Sequence, residues 1–413
     1  MPPTRPPPAT LPPPSTTGER RGRVAVILSG GGARGAYEVG VLSYLFDHFE
    51  RVRKRPIPVD FILGTSVGAI NGCFLASHLN DPGLGVRRLS NLWSEIHMDE
   101  VLGFGFSQLS SLPRLLVGGG RDAVGLFDVS PMARLVEREI AWRAISKSFR
   151  DRRLLGLSVS ATEISTGKTV LFMQTAPGVP LPPVAPARTE IRAARIGPIH
   201  ALASAAIPII FPAVRIGQHL YMDGGVRQNT PIAPALRLGA THVFAVGLSR
   251  ELRDLPTDRA EKPPNVAFVI GKVLNAFLLD HITSDFEILD RVNTMIDQGV
   301  RAFGPDFMER VNAAASSNHA PEFRRVKTLV VRPSEDIGRI AESYVRSSRV
   351  RAGAAMRRVL SLLDVGEASE ADLASYMLFD GAFARRLIEL GWSDAEAQRD
   401  SLRDFFEDAE AAL

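Results

Sequence analysis

Short apolar runs alternate with longer stretches in which apolar positions recur every three to four residues, beginning at residue 24. Residues 24–28 (VAVIL) are apolar and rich in β-branched side chains, the signature of a strand buried on both faces. A glycine cluster follows. Then Val39, Leu42, Leu45 and Phe46 fall at helical spacing. Residues 59–63 (VDFIL) predict a second strand, running through Gly64-Thr65-Ser66-Val67-Gly68 into a helix that reaches about His78. Further strands are expected at 155–162, 168–173, 219–222 and 242–247, and a late one at 327–331. Strands alternating with helices predict an α/β fold: a three-layer sandwich with a mainly parallel central sheet.

The pattern changes after about Glu261. Residues 266–298 and 337–363 have helical period, the second stretch carrying Arg346, Arg349, Arg351, Arg357 and Arg358. Two more helices are expected near 371–390 and 394–413. The division is therefore a tail (1–23), an α/β domain (24–260), and a mainly helical C-terminal region (261–413) whose strand 327–331 joins the sheet. The tail is Pro-rich and then basic and cannot bury a core. It reads as inert, with a polyproline ligand for a partner as the lesser reading. The 176–188 segment is a Pro-rich surface loop.

Composition narrows the classes. The chain has 413 residues, 45% of them apolar, and a formal charge of only +4, so no global basic field for nucleic acid is present. The single cysteine, Cys73, forms no intrachain disulfide and fits a reducing, cytoplasmic setting. The apolar run 199–216 is broken by Pro208 and Pro212, and residues 1–23 lack an apolar core for a leader peptide. Neither C-x-x-C nor H-E-x-x-H occurs, so no metal or other cofactor is expected.

Three motifs carry chemistry. Gly64 and Gly68 flank Ser66 in a G-x-S-x-G between strand and helix, where a sharp turn exposes the hydroxyl at the positive end of the helix. Gly68, Gly72 and Ala76 form a small-residue stripe that brings this helix close to the sheet. The second motif is Ser29-Gly30-Gly31-Gly32-Ala33-Arg34-Gly35. Its G-x-G-x-x-G spacing admits a dinucleotide site, which expects an acid at the end of the next strand. That strand ends in Gly64 instead. Its other use is an oxyanion hole, with glycine N–H groups aimed at one oxygen. Arg34 either strengthens the field there or pairs with a carboxylate. The third motif is Asp223-Gly224-Gly225 at a strand end. His242 completes the order Ser, Asp, His of an α/β-hydrolase, but it opens an apolar strand, where a structural role fits better. Cys73 reads as core.

GGGARGAYEVG, GTSVGA and DGG, in that order, resemble the patatin-like phospholipase family, as do ALASAAIPIIFP before the aspartate and QNTPIAPALRLGATHVFAV after it. The resemblance is strong over residues 24–250. YMLFDGAFARRLIELGWSDA, farther on, resembles bacterial members. Ser29 departs from plant members, which carry aspartate before the glycines. The resemblance implies a serine lipid acyl hydrolase acting on phospholipid, lysophospholipid or neutral lipid. Ser66 is its nucleophile and Asp223 its base. Gly30, Gly31, Gly32 and Gly35 form the oxyanion loop, with Arg34 beside it. An ordinary aspartate, with a pKa near about 3.9, is a weak base, so a dry environment around Asp223 is expected. Residues 101–125 read either as a lid or as a packed loop. The Arg-rich 337–363 stretch reads either as a peripheral membrane contact or as a solvated face. The rival functions are a Ser-His-Asp esterase or acyltransferase using His242, and a non-catalytic nucleotide-binding protein.

Overall fold

The computed structural model describes residues 21–103, 125, 127–183, 188–208, 210–250, 281–316, 323–347 and 372–411. Expectations for the rest of the tail, for most of 101–125, and for 251–280 and 348–371 lie outside these. A nine-stranded sheet runs through the molecule: β1 (Val24–Leu28), β2 (Phe61–Thr65), β3 (Gly156–Glu163), β4 (Thr169–Thr175), β5 (Thr189–Ala193), β6 (Val214–Ile216), β7 (His219–Asp223), β8 (His242–Val246) and β9 (Lys327–Val331). Its main order is β5-β4-β3-β2-β1-β8-β9. The pairs β1–β2, β1–β8, β2–β3, β4–β5 and β8–β9 are parallel; β3–β4, β3–β7 and β6–β7 are antiparallel.

Alternation along the strands sorts side chains into two cores. Val24, Val26, Leu28, Ile62 and Phe244 face one layer of helices, including Gly35–Ser43, Val67–Ser77, Gly381–Ala397 and Arg399–Ala411. Ala25, Ile27, Phe61, Leu63, Val243 and Ala245 face the other, where Ile232–Leu238 and His281–Phe303 pack. The fold is therefore α/β in three layers, with a mainly parallel sheet.

Several local expectations shift. β5 and β6 have no counterpart in the sequence reading, because TEIRA and VRI are short and half-exposed. The helix expected over 371–390 is two, Asp372–Met377 and Gly381–Ala397. Asp380 separates them by accepting the Ala382 and Phe383 N–H groups as an N-cap. The second of these helices then continues past Asp394 to Ala397, where a new start had been expected. Of the long basic helix, Ile337–Arg346 is described, and Arg346 pairs there with Glu342 at 2.7 Å. Residues 21–23, assigned to the tail, are tied down. Arg21 pairs with Asp60, and the Gly22 N–H donates to the Ala409 carbonyl. Sheet and core both cross position 260: β9 extends the sheet beside β8, and Phe383, Leu387, Leu402 and Phe406 belong to the same core as β1.

Candidate active site

β2 and β7 share one edge of β3. β2 pairs along that edge as far as Thr65 opposite Ser160. There the chain turns away, and β7 takes over from the other direction, with Asp223 opposite Ala161. The residue after β2 and the last residue of β7 are thus brought face to face. Ser66 Oγ donates to Asp223 Oδ2 at 2.5 Å.

Ser66 holds φ 54°, ψ −127°, a region that costs a non-glycine residue about 1–3 kcal/mol. The flanking glycines are required by close approach. A Cβ on Gly68 would strike the Leu28 carbonyl, and one on Gly64 would strike the Gly68 carbonyl and Ala69 backbone. The Ser66 N–H donates to Ser204 Oγ (2.8 Å), which itself donates to the Ser160 carbonyl (2.5 Å). The helix Val67–Ser77 starts at Ser66 and aims its positive end there.

Asp223 is fully buried, and burial pushes its carboxyl up to about 7, against the pull of the Ser66 hydroxyl and the Gly225 N–H (2.7 Å to Oδ1). A carboxyl raised to that range has the basicity that proton abstraction at neutral pH calls for. Gly224 lies against β3, where a Cβ would strike the Ser160 carbonyl.

The glycine loop lies beside Ser66: a Cβ on Gly30 would come within 2.9 Å of Ser66 Cβ. The Gly30 N–H donates to Asn229 Oδ1 (2.7 Å), and Asn229 Nδ2 returns a bond to the Gly30 carbonyl (3.2 Å). The Gly35 N–H turns back to the Gly32 carbonyl, and the Arg34 N–H donates to the Gly31 carbonyl. Of the expected oxyanion donors, Gly30 and Gly35 are therefore already engaged. Among the described residues, the N–H groups of Gly31 and Gly32 donate to no protein acceptor. The Arg34 Nε donates to Ser375 Oγ (2.7 Å).

A sequence model of the patatin-like phospholipase family matches residues 26–236, a span that includes all three motifs. The chain belongs to this family. It is 27% identical over 233 residues to patatin-like phospholipase domain-containing protein 7 of Rattus norvegicus, covering 56% of this chain and 14% of that protein. It is 31% identical over 210 residues to the cGAMP-activated phospholipase of Pseudomonas aeruginosa, covering 49% of this chain and 53% of that protein. The chain thus spans about half or less of these relatives' length. A solved structure of human GIVD cytosolic phospholipase A2, in complex with methyl gamma-linolenyl fluorophosphonate, aligns at a TM-score of 0.39 and 12% identity, over 94% of this chain and 59% of that one.

In this patatin-like chain Ser66 opens into a cavity of about 630 Å³. Gly32 and Ser66 line it, and Ile70, Phe74, Trp93, Met132, Ile207 and Phe211 make its wall apolar. His242 lies elsewhere, at the start of β8, with Nε2 2.8 Å from Asp408 Oδ2 and Nδ1 2.9 Å from Thr241 Oγ1. Cys73 is buried, and burial pushes its thiol up to about 12, which leaves it inert. Among the described residues no cluster of His, Cys, Asp and Glu is placed to hold a metal, and no helix is long and apolar enough to cross a membrane.

Sequence reasoning missed several supporting residues. Ser204 and Asn229 lie within the quoted segments ALASAAIPIIFP and QNTPIAPALRLGATHVFAV, but their roles need the third dimension. Glu38 is fully buried on the helix Gly35–Ser43, where it accepts the Ser29 N–H (2.7 Å) and Asn71 Nδ2 (2.9 Å). Burial pushes it up to about 8 despite those two donors. Its signal was available: one acid inside the apolar run GAYEVGVL.

Proposed function

We propose that this protein hydrolyses carboxylic esters of lipids through a Ser66–Asp223 dyad. The observation that carries the reading is the direct 2.5 Å contact between Ser66 Oγ and a buried carboxylate at an apolar cavity. The ionised Asp223 takes the hydroxyl proton as Oγ attacks the acyl carbon, and the carbonyl electron pair moves onto oxygen. The Gly31 and Gly32 N–H groups stabilise that oxyanion. Collapse expels the alcohol, which takes the proton from Asp223, and leaves an acyl group on Ser66. Water then repeats the attack with Asp223 again as base. The apolar cavity suits an acyl chain, so phospholipids, lysophospholipids and neutral lipids form the substrate class. The protein works on lipid at a membrane surface from the cytoplasmic compartment, needs no cofactor and binds no nucleic acid. Residues 24–260 supply the catalytic motifs, and among the described residues beyond them helices such as Gly381–Ala397 and Arg399–Ala411 pack on the same core.

The test is turnover of a short acyl p-nitrophenyl ester and of a lipid panel by wild type and Ser66→Ala, with labelling by a fluorophosphonate. Ser66→Ala should lose about 10³-fold or more in kcat and all labelling. Wild-type turnover in a folded Ser66→Ala protein sinks the reading.

A further inference from the structure

The chain returns to the catalytic loop far beyond the family match. The helix Asp372–Met377 ends over the glycine loop. Arg34 is 3% exposed, and its guanidinium carbon sits 4.4 Å from the Tyr376 ring centroid while Nε donates to Ser375 Oγ. The Tyr376 carbonyl presses on Gly32, so that a Cβ there would overlap it, and Gly32 itself takes φ +57°. Ser375 and Tyr376 are both buried. This returning segment is itself braced. Phe379 stacks on Trp93, with ring centroids 6.2 Å apart, and both line the cavity. The next helix, Gly381–Ala397, lies backbone to backbone on Gly35–Ser43, with Gly40 against the Ile388 carbonyl and Gly391 against the Tyr37 carbonyl. The Tyr37 hydroxyl donates to Asp394 Oδ2 at 2.9 Å.

Three successive glycines have more backbone freedom than any other sequence. An oxyanion hole needs the opposite, with donors fixed before charge develops. Asn229 fixes the loop's first glycine, and the turn from Gly31 to Arg34 fixes its exit. At Gly32, between those two points, the described contact is the Tyr376 carbonyl, and two residues on, the Arg34 side chain is latched to the same segment.

We infer that Tyr376 and Ser375 are positioning residues for the oxyanion loop, which makes the C-terminal segment a working part of the catalytic site. The inference rests on the reading of Gly31 and Gly32 as oxyanion donors. The Tyr376 ring and the Ser375 hydroxyl act through Arg34, which they latch beside the Tyr376 carbonyl that meets Gly32, and neither side chain touches substrate. Their loss should therefore lower kcat and leave substrate binding alone.

The experiment uses the full-length protein with a short acyl p-nitrophenyl ester, and follows Ser66 phosphonylation by a fluorophosphonate, which also develops charge on oxygen. Tyr376→Ala should lower kcat and the phosphonylation rate about 10- to 100-fold, with KM within about threefold, approaching the loss of one oxyanion donor. Tyr376→Phe, which keeps the ring over Arg34, should restore both to within about threefold of wild type. Circular dichroism checks the fold. If Tyr376→Ala does not fold, Ser375→Ala carries the same test, with kcat expected to fall about 10- to 100-fold, as for one lost hydrogen bond to a charged group. Folded variants with wild-type kcat, a loss confined to KM, or a Tyr376→Phe as slow as Tyr376→Ala would each overturn the inference. Ser66→Ala run alongside separates the two levels. An active Ser66→Ala removes the nucleophile reading, whereas an inactive one beside wild-type Tyr376→Ala and Ser375→Ala removes only the role of the segment.

Discussion

His242 Nε2 lies 2.8 Å from Asp408 Oδ2, so this imidazole has its acidic partner on the chain's last helix. In the register of β1 and β8, His242 stands opposite Val24, while Leu28, next to the glycine loop, stands opposite Val246. A strand's length, about 13 Å at 3.3 Å per residue, separates the histidine from the end of the sheet that carries Ser66. His242→Ala should cost about 1–2 kcal/mol of stability through the lost buried bonds. Its kcat should stay within about tenfold of wild type, against roughly 10³-fold or more for a member of a Ser-His-Asp triad. The measurement is kcat on a short acyl ester beside a denaturant midpoint. A folded but inactive variant would restore the histidine-dependent esterase.

The pH profile follows from Asp223. As the proposed base it acts ionised, and burial raises its carboxyl to about 7. kcat/KM should therefore fall as pH drops below about 7 and level off above it. Asp223→Asn should remove the activity and, with it, this limb. A wild-type profile flat from pH 5 to 9 contradicts a dyad with this base.

Stability should run the other way. Asp223 and Glu38 both have folded-state values raised above the unfolded ones, to about 7 and about 8. Between about pH 4 and those values the folded protein holds more protons than the unfolded chain, so stability falls as pH rises through that window. Above it each buried carboxylate costs the fold on the order of a few kcal/mol. Asp223→Asn should accordingly gain in Tm over wild type as pH is raised from 5 to 8. A Tm difference that does not change with pH contradicts the raised carboxyl.

The strain at Ser66, the proposed nucleophile, gives a fourth expectation. Glycine tolerates φ 54°, ψ −127° far better than serine, so Ser66→Gly should be inactive yet more stable, by about 1 kcal/mol or more. The lost Oγ–Asp223 bond works against this gain, and Ser66→Ala, which loses the same bond and keeps the strain, is the proper reference. The check is chemical denaturation of the two variants side by side. A Ser66→Gly no more stable than Ser66→Ala means the turn is unstrained.

How far the sequence spoke depends on the range of each interaction. VAVIL and the FIL of VDFIL are buried on both faces, so their composition alone gives β1 and the core of β2, although β2 starts at Phe61 and runs on to Thr65. The sharp turn at Ser66 is legible because glycine on either side has one steric reason to be there. Asp223 is legible as a strand end, but its partner is set by two strands exchanging places on β3, which no local pattern records. The oxyanion loop shows the same limit. Glycine spacing marks the loop, while Asn229 and Tyr376, 199 and 344 positions from Gly30 and Gly32, engage it from far along the chain. The split at Asp380 was missed because YMLFDGAF keeps helical period across the cap.

The last expectation concerns Ser204, which touches neither Oγ nor the cavity's acyl wall. Its hydroxyl accepts the Ser66 N–H at 2.8 Å and donates to the Ser160 carbonyl at 2.5 Å. That carbonyl belongs to β3, the strand against which both Thr65 and Asp223 are registered. Ser204 therefore ties the strained turn to the element that also places Asp223. In Ser204→Ala a buried N–H loses its acceptor and a buried carbonyl its donor, which costs about 1–3 kcal/mol for each group left unpaired. The turn is then free to relax toward an ordinary conformation and carry Oγ away from Asp223. A shift near 1 Å at a reacting atom costs on the order of 10²-fold, so kcat should fall about 10- to 100-fold with KM little changed. Ser204→Thr keeps the hydroxyl and should retain most of the turnover. Measured kcat, KM and Tm for both variants decide it. A Ser204→Ala protein with wild-type kcat means the turn is held by the backbone alone, and the strain at Ser66 needs no hydroxyl to maintain it.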